Sequence, residues 1–305
     1  MTHKPVKYWK KPLLFALKLT VSTAFIWFIF SRIDVSVLEE SLKGARISHL
    51  AIAFIVLACG AFAGSASWYN IIRANGVDIS YLRVVAMHWC GMFFNSFLPS
   101  NIGGDFYKGW MLAKDQSIGV STVAISIIVD RVLNFSLLIL IGLVAFAFLF
   151  GKSAVAACVI VFAFFAFATL NFAAYHWKVK EGNGRLIRFL QELLALFRTP
   201  RRCAVALCVA FLSQGCKIGC HVFIISALGL NIDYSCIWYI IPLFGIVSAL
   251  PISLGGLGLR ESVAMLVASA AGTGAEELVL FSLMSHALFI AVNAVGIIPL
   301  LFYRR

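Results

Sequence analysis

The chain has 305 residues, 62% hydrophobic and 12% charged, whereas a soluble domain holds about 45–50% apolar and about 25% charged residues. Its apolar runs recur from end to end, and the longest clearly polar stretch, from Tyr175 to Cys203, falls short of the ~40 residues that fold alone, which excludes a soluble catalytic domain within these residues. The net charge of +12 has no basic soluble domain to carry it, so nucleic acid is not an expected partner; cationic loops that fix topology and meet anionic headgroups account for it.

The opening MTHKPVKYWKKP is basic and leads into an apolar run over 13–31. A cleaved signal would begin alike. This run is long for one, and Phe30-Ser31-Arg32-Ile33-Asp34 is not a small-x-small cleavage site, so a retained first helix is expected. A spanning helix needs about 20 mostly apolar residues. The runs 49–70, 119–150, 153–175, 203–230 and 277–302 also qualify, which makes six crossings. Two further apolar segments, 81–98 and 234–250, each run into Pro and then Gly-Gly, and a short, less apolar helix follows. Most of the eight cysteines sit inside apolar runs and read as small buried side chains. Cys216 and Cys220 are a turn apart without a second ligand pair, so neither a metal nor a cofactor is expected.

Lys and Arg in short loops set orientation. The N-terminal tail (Lys4, Lys7, Lys10, Lys11), the 176–202 loop (with Lys178, Lys180, Arg185 and Arg188 among its cations) and the C-terminal Arg304-Arg305 are expected in the cytoplasm. The 31–48 loop, balanced by Asp34, Glu39 and Glu40, and the loop at Glu276-Glu277 suit the outside. These sides agree if each Pro-Gly-Gly segment dips in and returns, the first from the cytoplasm and the second from outside. Full crossing and return, ten crossings in all, has equal parity. The expected fold is thus all-α: a polytopic membrane bundle of about six full crossings plus two re-entrant hairpins, a single membrane domain over 1–305 in the plasma membrane.

The two hairpins are related in sequence. Leu98-Pro99-Ser100-Asn101-Ile102-Gly103-Gly104-Asp105-Phe106-Tyr107-Lys108 aligns without a gap on Leu250-Pro251-Ile252-Ser253-Leu254-Gly255-Gly256-Leu257-Gly258-Leu259-Arg260. Leu, Pro and both glycines coincide, and Lys108 meets Arg260. The same shift of 152 residues, read from Pro99 and Pro251, pairs 49–70 with 203–230 and 119–150 with 277–302. Halves of about 13–150 and 153–302, each with an odd number of crossings, would be inverted, a recurring transporter arrangement.

Pro breaks the helix and Gly-Gly lets the chain turn back. Irregular backbone at membrane depth is tolerated only inside protein or beside water. The helix after each Gly-Gly would present free N–H groups and a positive dipole end, which is an anion site. Lys108 and Arg260 lie one turn into those helices, and intramembrane charge is costly enough to suggest function over snorkelling. Asp130 and Arg131 interrupt an apolar run, either as a structural pair or as substrate contacts. Gln214, Lys217 and His221 share one helix face, as do His286 and Asn293. Asp105 and Glu261, beside the glycines, could neutralise a cation or carry a coupling proton.

FLPSNIGGDFYKGWMLAKDQ, then IIVDRVLN, then ALPISLGGLGLRES, resembles the membrane domain of the lysylphosphatidylglycerol synthase/flippase family over nearly the whole chain. The family's Pro, Gly-Gly-Asp and basic residue are matched by Pro99, Gly103, Gly104, Asp105 and Lys108. Its acidic-Arg pair is matched by Asp130 and Arg131. Its second motif is matched by Pro251, Gly255, Gly256, Gly258, Arg260 and Glu261. The resemblance implies movement of a charged lipid across the bilayer. Larger members carry a fused aminoacyl transferase or glycosyltransferase domain, which these residues lack.

The expected function is therefore flipping of an anionic or charged lipid, such as a modified phospholipid or a polyprenyl-phosphate-linked intermediate. The expected contacts are Gly103, Gly104, Asp105, Lys108, Asp130, Arg131, Lys217, Gly255, Gly256, Arg260 and Glu261. The alternative is a membrane enzyme or enzyme subunit that modifies a lipid with a separate transferase as partner. That class needs a nucleophile or base with a positioned partner, and no such constellation stands out.

Overall fold

A computed structural model describes residues 43–97, 103–116, 118–150, 198–249, 256–269 and 271–302. All regular structure among them is helical: α1 (Ile47–Ala74), α2 (Tyr81–Phe97), α3 (Gly103–Gln116), α4 (Val120–Phe150), α5 (Pro200–Leu228), a 3-10 turn (Tyr234–Cys236), α6 (Ile237–Ala249), α7 (Leu259–Val267), α8 (Ala275–Ala294) and α9 (Ile297–Phe302). Within the described residues four helical stretches are long and apolar enough to cross a membrane: Ile47–Ala74, Val120–Ala145, Pro200–Leu228 and Ala275–Phe302. They coincide with four of the six expected spans. The other two, 13–31 and 153–175, lie outside the described residues, as do Pro99, Pro251, Gly255, the N-terminal tail, most of the 176–202 loop and the C-terminal arginines.

Local chemistry sets the helix ends. Pro200 opens α5, where its missing N–H costs nothing, and Gly229 closes it in the left-handed region at φ 63°. The backbone N–H of Arg46, just before α1, donates to the carbonyl of Ala227 near the end of α5 at 2.8 Å. Asp233 caps the 3-10 turn by accepting from the Ser235 amide at 2.8 Å, and that bond holds its exposed carboxyl below the ordinary range. The last span is not one continuous helix: it breaks at Val295-Gly296, where α8 gives way to α9. Gly296 packs against the Trp89 backbone and leaves no room for a Cβ.

The most extensive helix pair is α1 with α5. Small residues let the two backbones approach, which is how helices associate where lipid removes the hydrophobic drive. A Cβ at Gly60 would lie 2.9 Å from the Cβ of Cys216, and Ser213 Oγ donates to the Gly60 carbonyl at 2.7 Å. On the other side of α4, Pro242 of α6 fits against Gly142, where a Cβ would come within 2.7 Å of the proline ring. The core around α5, α6 and α8 is filled by Ile218, Ile224, Ile237, Phe244 and Phe281, all essentially inaccessible.

Element order runs twice. Shifted by 152 residues, α1 falls on α5, α2 on the 3-10 turn with α6, α3 on α7, and α4 on α8 with α9. The packing partners survive the same exchange: α2 packs on α3 as α6 packs on α7, α3 on α4 as α7 on α8, and α4 on α6 as α8 on α2. The long last helix of each series therefore packs on the other series, α4 on α6 and α8 on α2.

Candidate functional site

Eight helices, α1 to α8, line a cavity of about 340 Å³. Lys108 of α3, Asp130 and Arg131 of α4, Lys217 of α5 and Arg260 of α7 all line it, together with Asp105. The polar faces read from sequence turn toward it as well: Gln214, Lys217 and His221 from α5, His286 and Asn293 from α8. Four cations and two carboxylates thus line one cavity.

The acidic side chains lie on the α3–α4 wall. Lys108, 4% exposed, sits 3.3 Å from Asp105 Oδ1 and 3.4 Å from Asp130 Oδ2. Its ammonium also lies 4.6 Å from the centre of the Trp68 ring, a cation–π contact. Arg131 does not pair with its chain neighbour; its Nε donates to Asp105 Oδ2 at 2.6 Å. Asn134, one turn beyond Asp130, donates to Asp130 Oδ1 at 3.1 Å and accepts from Gln214 Nε2 on α5 at 3.1 Å. A buried charge is tolerated when it is paired and its remaining lone pairs are satisfied, and this wall meets that condition.

The α7 wall is built differently. Arg260, 8% exposed, donates from Nη1 to His286 Nδ1 at 3.3 Å, and its guanidinium lies 5.3 Å from the centre of the Phe244 ring. The bond requires a neutral His286 with its lone pair on Nδ1. Among the described residues, Arg260 Nε is buried without a hydrogen-bond partner. His88 Nδ1, His221 Nε2 and Asn293 Oδ1 are also buried and unsatisfied, and all three residues line the same cavity. Unsatisfied polar atoms gathered on one cavity point to a polar occupant.

Of the expected glycine contacts, Gly103, Gly104 and Gly256 do not line the cavity; Gly104 and Gly256 pack against a neighbouring helix beside it. Gly104 is buried against the Gly91 carbonyl of α2, so that a Cβ would collide with it. Gly103 opens α3 beside it. Gly256 has φ 87° and packs on Ser248. The free helix amides expected at both breaks are in part occupied: the Gly104 N–H donates to Asn95 Oδ1 at 2.9 Å and the Gly258 N–H to Glu261 Oε2 at 2.7 Å. Glu261 also accepts from Ser282 at 2.8 Å. It is a buried cap of α7 rather than part of the cavity lining, because Asp, Glu and their like near a helix start satisfy orphan donors.

Sequence reading did not single out Asn95, Trp68, Asn134 or Phe244. Asn134 carried a signal, since residues four apart on a helix are neighbours and Asp130 precedes it by that spacing. Trp68 and Phe244 carried none among so many apolar residues.

The sequence pattern of the family described as "Lysylphosphatidylglycerol synthase TM region" matches residues 15–296. The chain is 22% identical over 292 residues to a UPF0104 membrane protein of Pyrococcus horikoshii, covering 83% of this chain and 85% of that one. It is 26% identical over 117 residues to a UPF0104 membrane protein of Methanocaldococcus jannaschii, covering 38% of this chain and 35% of that one.

Proposed function

We propose that this chain, which belongs to the lysylphosphatidylglycerol synthase transmembrane-region family, translocates a lipid with an anionic headgroup across the plasma membrane. The observation that carries the reading is the cavity itself: four cations against two carboxylates, with several buried polar atoms left unsatisfied. A phosphate brought among such cations gains Coulomb energy that water would screen away, because the effective dielectric inside is far lower. The cavity holds a headgroup, and the acyl or prenyl tails stay in lipid.

The two-fold element order and the exchange of packing partners support inverted halves, with both Pro-Gly-Gly segments as re-entrant hairpins. Rocking one half against the other around a fixed site then exposes it to each side in turn. The basic N-terminal tail, the 176–202 loop and the C-terminus face the cytoplasm in this arrangement. A lipid-modifying transferase encoded elsewhere is the partner the reading allows.

The test is reconstitution of the purified chain in liposomes with fluorescent anionic lipid, followed by quenching of the outer leaflet. Protein-dependent loss of protection of the inner-leaflet probe is expected. Protection equal to that of empty liposomes, with correctly inserted protein, would refute translocation.

A further inference from the structure

The charges around the cavity are not evenly matched. On the α3–α4 wall every carboxylate oxygen is engaged: Asp105 by Lys108 and Arg131, Asp130 by Lys108 and Asn134. Two further cations line the cavity, Arg260 of α7 and Lys217 of α5, and among the described residues neither has a carboxylate within ion-pair range. Arg260 Nε is buried and, among the described residues, unpartnered. The repeat accounts for the asymmetry. The residues 152 positions after Asp105 and Asp130 are Leu257 and Ser282, so the second half keeps the cation and lacks both counter-charges. The adjacent acid, Glu261, is committed to the Gly258 amide and the Ser282 hydroxyl.

Resting on the reading that the cavity holds a lipid headgroup, we propose that it accepts headgroups bearing phosphate and no ammonium, with the phosphate seated at Arg260 and Lys217. A phosphate oxygen supplies the acceptor that Arg260 lacks, in the planar geometry a guanidinium favours. An ammonium, from ethanolamine or an aminoacyl ester, meets two carboxylates already saturated and four cations that repel it. Removing that ammonium from water without a counter-charge is unfavourable. The selectivity follows from charge placement and does not depend on cavity volume.

Calorimetric titration of the purified full chain in detergent tests this with dihexanoyl phosphatidylglycerol, dihexanoyl phosphatidylethanolamine, dihexanoyl lysyl-phosphatidylglycerol and inorganic phosphate. The anionic lipid should bind at least ~10-fold more tightly than either ammonium-bearing lipid. Arg260→Gln and Lys217→Gln should each weaken it about 10-fold, with folding checked by thermal melting. Leu257→Asp installs a carboxylate one turn before Arg260, where the first half has Asp105, and should erase the preference while sparing the lining of the opposite wall. Equal or tighter binding of the ammonium-bearing lipids overturns the selectivity and leaves the headgroup reading standing. Inorganic phosphate binding as tightly as the lipid keeps the seat and overturns a lipid as its occupant. Binding by none of the four overturns both.

Discussion

Arg131 donates to Asp105 on the neighbouring helix at 2.6 Å, while Asp130, beside it in sequence, receives Lys108 at 3.4 Å. Adjacent residues on a helix point about 100° apart and do not face each other. An acidic-Arg dipeptide in a membrane helix therefore addresses two different neighbours, and here it crosses with Asp105 and Lys108 to tie α3 to α4.

The two halves of this crossed pair are unequally buried, so they should be unequally costly to break. The side chain of Arg131 is 35% exposed, against 4% for Lys108. Arg131→Gln should cost about 1 kcal/mol, as expected of a partly screened pair. Lys108→Met leaves the buried Asp130 without its cation and should cost about 3–5 kcal/mol. Thermal unfolding of both variants in one detergent compares them. Equal losses would show that Lys108 is not the keystone of the wall.

Close approach of α1 and α5 depends on absent side chains. Gly60→Leu must displace Cys216 or separate the helices, since even a Cβ would stand 2.9 Å from the Cβ of Cys216. Overpacking of this kind typically costs about 1–3 kcal/mol. Fluorescence-detected gel filtration after a heat step should show reduced survival for Gly60→Leu. Ala66→Leu, on the same helix and part-buried, serves as a milder comparison.

Much of this layout was legible in the chain. Leu-Pro and Gly-Gly recurring at a fixed offset, with Lys108 meeting Arg260, anticipated the recurring element order, and apolar length identified α1, α4, α5 and the α8–α9 stretch. What sequence could not supply was the third dimension of the polar groups. Glu261 was open to neutralising a cation or carrying a proton, and the same geometry that separates Asp130 from Arg131 turns it instead onto Gly258 and Ser282. The helix starts looked open because Asn95, nine residues before Gly104, gave no sign that it would fold back to cap it.

Arg260 uses one edge of its guanidinium for His286 and leaves Nε bare. Arg260→Lys keeps the charge but cannot present two donors in a plane. If the phosphate is held by that fork, the substitution should reduce transport of the anionic lipid nearly as much as Arg260→Gln, on the order of 10-fold. Initial rates in the liposome assay decide it. Near-normal transport by Arg260→Lys would mean that charge alone holds the anion.

Orientation is open to direct labelling. Single cysteines placed near Asn183 and at Glu276 on a cysteine-free background should react oppositely with an impermeant maleimide in intact cells. The position near Asn183 should be protected and Glu276 should label, because the first lies among many Lys and Arg and the second beside none. Labelling of both, or of the Asn183 position alone, would reverse the proposed sides.

Rocking requires that the contact between α4 and α6 change during transport. Gly245 of α6 and Leu138 of α4 are the closest handle on it: a Cβ at position 245 would come within 3.8 Å of Leu138 Cγ, and both residues line the cavity. Cysteines at 138 and 245 face each other across this contact, and mild oxidation of the Leu138→Cys, Gly245→Cys pair should bridge them. The crosslink joins α4 of one half to α6 of the other, so it should arrest translocation while leaving Arg260 and Lys217, on α7 and α5, able to bind the anionic lipid. Reduction should restore transport in the same sample, which separates locking from misfolding. Each single-cysteine variant should be indifferent to oxidant. Transport that continues undiminished through the oxidised bridge would show that the α4–α6 contact does not move, and a rigid bundle with a fixed lipid path would replace alternating exposure.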